Sequence, residues 1–107
     1  MPWRLIAVCL PSLLAASVLA APGPARQAEL RNLLQQDCGS CHGMTLRGGL
    51  GPALLPENLA GKPRGFLIAT VRDGRPGTAM PPWGPLLGED DIAWLVDELL
   101  NGKAPRP

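Results

Sequence analysis

Histidine and cysteine are scarce in this chain, with one of the first (His42) and three of the second in 107 residues. That scarcity limits the metal chemistry on offer. A structural zinc site wants four soft ligands, and Cys38, Cys41 and His42 supply three, with no fourth outside the leading apolar segment that contains Cys9. An excess of either charge is also missing: ten Lys and Arg stand against nine Asp and Glu, without the basic face that nucleic acid rewards. The β-branched runs of a sheet are absent, which argues against the strand a thioredoxin-like Cys pair would follow. No internal repeat and no linker divides the chain, so one domain is expected.

The first fifth of the chain reads as a targeting segment. Met1 to Arg4 is a short basic start, Leu5 to Leu19 is almost unbroken apolar sequence, and Val18-Leu19-Ala20 offers small residues to a signal peptidase. Cleavage is expected after Ala20, with Ala21 the next choice, leaving a domain over residues 21–107. The alternative is a retained anchor, but the run is shorter than the ~20 residues of a spanning helix and contains Pro11. Export removes Arg4 and leaves nine cations against nine anions, with no stable membrane anchor.

The chain's densest chemistry lies in Cys38-Gly39-Ser40-Cys41-His42. Two thiols three residues apart can each bond a haem vinyl group while the adjacent imidazole meets the iron, the pattern of one covalently attached haem c. As the one histidine, His42 is then an axial ligand and the other axial ligand is a different group. Met44, two residues on, cannot reach the opposite face. Met80 can: it follows a glycine turn and precedes Pro81 and Pro82, which stiffen its loop. The competing readings make Met80 core filling, with five-coordinate iron or with Lys103 or water as ligand. A His/Met pair leaves no open position on iron and suits an electron carrier rather than an enzyme. The rival is a ligand-binding or enzymatic haem protein in which Met80 dissociates.

Around these ligands the patterning is helical. Ala25 to Gln36 places Leu30, Leu33 and Leu34 on one face and delivers Cys38. Residues 43–52 are too glycine-rich for helix or sheet; this loop is expected to bring a backbone carbonyl, that of Pro52, to the imidazole nitrogen facing away from iron. Pro56 to Lys62 suggests a single turn ending at Gly61, and Phe66 to Arg72 a short helix with Phe66, Ile68, Ala69 and Val71 inward. Glu89 to Leu100 is the strongest helix, with Ile92, Leu95, Val96 and Leu99 at i, i+3, i+4, i+7, although Gly88 is a weak cap for it. Trp83 is a candidate to stack near the haem or bond a propionate, or else a lid on its loop; Trp94 is expected against Leu30, Leu33 or Leu34. Lys62, Arg64, Arg72 and Arg75 precede the Met80 loop while acids load the last helix, a separation that could steer an acidic partner.

Taken together, these segments resemble the class I monohaem cytochromes c over essentially the whole chain after residue 20. The matching residues are Cys38-Gly39-Ser40-Cys41-His42, Gly51-Pro52, Met80-Pro81 and Trp94-Leu95. The resemblance implies an all-α fold: three main helices plus loops wrapped around one haem, the first and last helices crossing, and electron transfer in the periplasm. Residues 46–52, 59–63 and 73–83 are similar to the small c55X cytochromes associated with haem-cd-type nitrite reductase. That similarity implies a one-electron donor to the reductase, or a redox partner of the enzymes that mature its haem d; the chain is expected to act as a monomer.

Overall fold

The computed structural model describes residues 2, 7–12 and 21–104, and the cleavage point expected after Ala20 lies outside the described residues. Every regular element among the described residues is helical.

Helix α1 spans Pro24–Leu33. Proline suits its first position, where no intrahelical donor is needed, and the Gly23 carbonyl accepts the Gln27 N–H at 2.9 Å. The chain does not leave the helix near Gln36. It widens into one π-helical turn, Leu34–Cys38, with the Gly39 N–H bonded to the Leu34 carbonyl, and continues as α2, Gly39–His42. No proline interrupts residues 25–42, so one helical path carries the backbone through the motif. Gly43, at φ +92°, ends it.

A single turn, α3 (Pro56–Leu59), precedes α4 (Arg64–Asp73). Helix α4 starts behind Pro63, two residues earlier than the apolar pattern suggests. The inward position expected for Phe66 is corrected: it is 54% exposed, while Leu67, Ile68 and Val71 pack on the core edge. At 100° per residue these three share one side and Phe66 falls almost opposite it. Helix α5 (Glu89–Leu100) begins at Gly88 without a side-chain cap. Glu89, Asp90 and Asp91 in its first turn oppose the helix dipole and compensate for the missing cap.

The core forms where α5 meets α1 and the π-helical turn. Leu30 and Leu34 lie against Ile92, Leu95 and Leu99, with Leu46, Leu59, Leu87 and Ala104 closing the cluster. Each buried Leu or Ile contributes about 1.5–3 kcal/mol of transfer free energy, so this seam is the main source of protein-only stability. Trp94 packs half-buried on its flank, with the Arg31 guanidinium 5.0 Å above the indole ring.

Ion pairs tie the acidic helix to its neighbours. Arg26 reaches Asp91 at 2.8 Å, Arg31 reaches Glu98 at 3.5 Å, Arg64 reaches Asp97 at 2.7 Å and Arg72 approaches Glu89 at 3.8 Å. The cations and acids read as separate along the chain therefore meet in part across α4 and α5. Arg64 pairs with Asp97 of α5, and Arg72 pairs with Asp73 at 3.1 Å and approaches Glu89 of α5, because antiparallel packing brings α4 alongside that helix.

Candidate haem site

Cys38 closes the π-helical turn and Cys41 follows one turn later, so the two thiols, both free, project from neighbouring positions on one helical path. Cys38 is half-buried, and burial, reinforced by the Asp37 charge, pushes its thiol up to about 11. Cys41 is exposed. The Ser40 hydroxyl donates to the Asp37 carbonyl at 2.7 Å and braces the turn between them.

The helix end is then capped by the loop that follows it. The Gly51 N–H bonds the Cys41 carbonyl and the Gly48 N–H bonds the His42 carbonyl, each at 2.8 Å. Leu46, at φ +59° and 2% exposed, plugs the loop into the core, and its carbonyl accepts the Leu54 N–H. Two glycines allow the close approach. A Cβ on Gly49 would sit 2.7 Å from the Cys41 carbonyl oxygen, and one on Gly51 would sit 2.9 Å from His42 Cε1 and Nδ1. With that space empty of side chain, the Pro52 carbonyl oxygen comes within 2.7 Å of His42 Nδ1. A carbonyl only accepts, so Nδ1 is the donor in this bond, and in the neutral ring Nε2 is the nitrogen with the free lone pair.

Met80 is half-buried in a loop that folds back on the end of α4. The Trp83 N–H bonds the Val71 carbonyl at 3.0 Å, the Gly84 N–H bonds the Arg72 carbonyl at 2.9 Å, and the Arg75 N–H bonds the Met80 carbonyl at 3.2 Å. The Trp83 ring is half-buried against the core. A cleft of about 530 Å³ beside this loop is lined by Arg72, Pro82, Leu87 and Ile92 among others, and by none of the motif residues. Sequence reasoning missed the π-helical turn and the glycine contacts under the Met80 loop; Gly74, directly after a helix-ending Asp, was the one available signal.

These residues fit a covalent haem. Two free thiols flank an imidazole whose ring is oriented by a backbone carbonyl, and α4 buries none of its residues completely, leaving Leu67, Ile68 and Val71 as a half-covered apolar wall. They do not fit the alternatives: the described residues contain no strand, and no cluster of three or more His, Cys, Asp or Glu among them could hold a metal ion.

The family model described as cytochrome c oxidase, cbb3-type, subunit III matches residues 25–97. The chain belongs to the c-type cytochromes. It is 65% identical over 91 residues to cytochrome c55X of Stutzerimonas stutzeri, covering 85% of this chain and 80% of that one. A solved structure of the c-type cytochrome NirC superposes with a TM-score of 0.76 at 65% identity, covering 78% of this chain and all of that one. Dihydro-heme d1 dehydrogenase of Pseudomonas aeruginosa is 38% identical over 104 residues, which are 97% of this chain and 20% of that longer protein. The cytochrome thus has the expected class I fold, carries covalent haem c and is an electron carrier. No helix among its described residues is long and apolar enough to cross a membrane.

Proposed function

We propose that this cytochrome is exported to the periplasm by a cleaved leader and moves single electrons in nitrite respiration. Cys38 and Cys41 would form the thioether bonds, His42 Nε2 and the Met80 sulfur would be the axial ligands, and Trp83 would cover the haem edge. Bound haem c supplies a one-electron iron couple. The protein's part is to hold that couple at fixed geometry. Pro52 fixes the His42 ring and raises its basicity, and the core under α4 and α5 excludes water. The observation that carries the reading is the 2.7 Å contact of His42 Nδ1 with the Pro52 carbonyl, which orients the ring and leaves Nε2 available to a metal.

The resemblance to the c55X cytochromes suggests two physiological roles: donor to a haem-cd-type nitrite reductase, or redox partner in maturing its haem d. The likeness to dihydro-heme d1 dehydrogenase favours the second, since that protein includes a stretch similar to nearly this whole chain. In stopped-flow mixing, oxidised cytochrome should accept electrons from that dehydrogenase turning over its dihydro-haem substrate. Reduced cytochrome should in turn reduce the nitrite reductase more slowly. Transfer to the reductase alone would reverse the order of the two roles, and transfer with neither would leave only the general carrier. A dissociable Met80, the rival ligand-binding reading, predicts tight nitric oxide or imidazole binding by wild type.

A further inference from the structure

Met80 is held by a loop whose tightness depends on one glycine and one hydroxyl. Gly74 is buried, at φ +67° and ψ −166°, a region of backbone space that is essentially glycine's own. A Cβ there would lie 2.7 Å from the Met80 carbonyl oxygen, 2.7 Å from the Pro81 carbonyl carbon and 2.8 Å from the Pro82 nitrogen. All three are backbone atoms, and two belong to prolines that cannot swing aside. Thr78 braces the other side. Its hydroxyl donates to the Arg75 carbonyl at 2.6 Å and accepts the Met80 N–H at 3.3 Å, while the Arg75 N–H bonds the Met80 carbonyl. Both backbone polar groups of Met80 are thereby engaged within its own loop, and the loop is anchored to α4 through Trp83 and Gly84.

We infer that Gly74 and Thr78 are positioning residues for Met80: together they set how firmly its thioether is presented to the haem iron, and so the reduction potential and the resistance to ligand exchange. This rests on Met80 being the second axial ligand. Neither residue touches the iron. Their effect is to make the loop stiff, so that withdrawing the sulfur breaks the Arg75–Met80 and Thr78–Met80 bonds together.

The test uses the holoprotein and the variants Gly74→Ala, Thr78→Val and Thr78→Ser. Imidazole is titrated into the oxidised form, the sulfur-to-iron charge-transfer band is followed, and the potential is measured. Gly74→Ala strains the methionine-bound loop by the cost of an alien backbone conformation, so imidazole affinity should rise at least about tenfold. Thr78→Val should raise it several-fold, with Thr78→Ser restoring wild-type behaviour, and the potential should fall with the band. If Gly74→Ala does not assemble, the Thr78 pair decides. Wild-type affinity, band and potential in Thr78→Val would overturn the inference while leaving Met80 as ligand. A wild-type protein without the band would instead remove Met80 as ligand, and this inference with it.

Discussion

His42 and Pro52, ten residues apart, meet at 2.7 Å between Nδ1 and the carbonyl oxygen, and the contact exists because Gly51 has no side chain between them. A Gly51→Ala substitution would press a methyl group to 2.9 Å from the imidazole and push the loop off it. We expect a loss of about 1–3 kcal/mol in denaturant melts of the holoprotein, from overpacking against backbone and ring. The potential should also rise, because an imidazole without its acceptor is a weaker donor to ferric iron. An unchanged potential in a destabilised variant would show that Pro52 has no electronic role.

Removing the thiols tests how much of the fold depends on the cofactor. The fully buried side chains come mainly from α1, the π-helical turn and α5, and α4 contributes none. In so small a domain that core is marginal. Circular dichroism of Cys38→Ala/Cys41→Ala should show a shallow, non-cooperative melt with reduced helix content; a cooperative, fully helical apoprotein would refute this.

Arg31 serves two partners, lying over the Trp94 ring and pairing with Glu98, whose side chain is almost wholly enclosed. Arg31→Ala should cost about 1–3 kcal/mol, mostly by leaving the Glu98 carboxylate without a partner. Glu98→Gln added to it should recover part of the loss. Additive effects in the double-mutant cycle would mean the 3.5 Å pair is uncoupled.

Acid should weaken the α1–α5 and α4–α5 junctions. The Arg26 guanidinium, bonded to Asp91, holds that carboxyl below the usual carboxylate range, and Arg64 does the same for Asp97. The folded state gives up these protons at lower pH than the unfolded chain does. Their stabilisation is complete above about pH 4 and is lost as pH falls through the lowered folded values. Asp91→Asn should therefore melt a little below wild type at neutral pH, with the gap closing in acid. A gap independent of pH would assign the loss to packing.

Much of the molecule was legible along the chain. The α5 seam was plain from spacing that repeats every turn, since a helix buries one stripe whatever it packs against. The lone histidine limits which axial ligands can be proposed, without any coordinates. Other features were not legible, and for a common reason: Phe66 turned outward, Arg64 and Arg72 found carboxylates on α5, and the helix ran on through Cys38, because each depends on what lies alongside rather than on neighbours in sequence.

Local chemistry thus settled the cofactor, the all-helical class and the run of elements, because Cys38-Gly39-Ser40-Cys41-His42 and the helical periodicities need no partner to be read. Long-range packing was needed to seat Pro52 on His42, to pair the arginines of α1 and α4 with α5, and to place Gly74 beneath Met80. These are close approaches between segments joined by loops. Glycine marks where such an approach is possible, and only the folded chain selects what comes near.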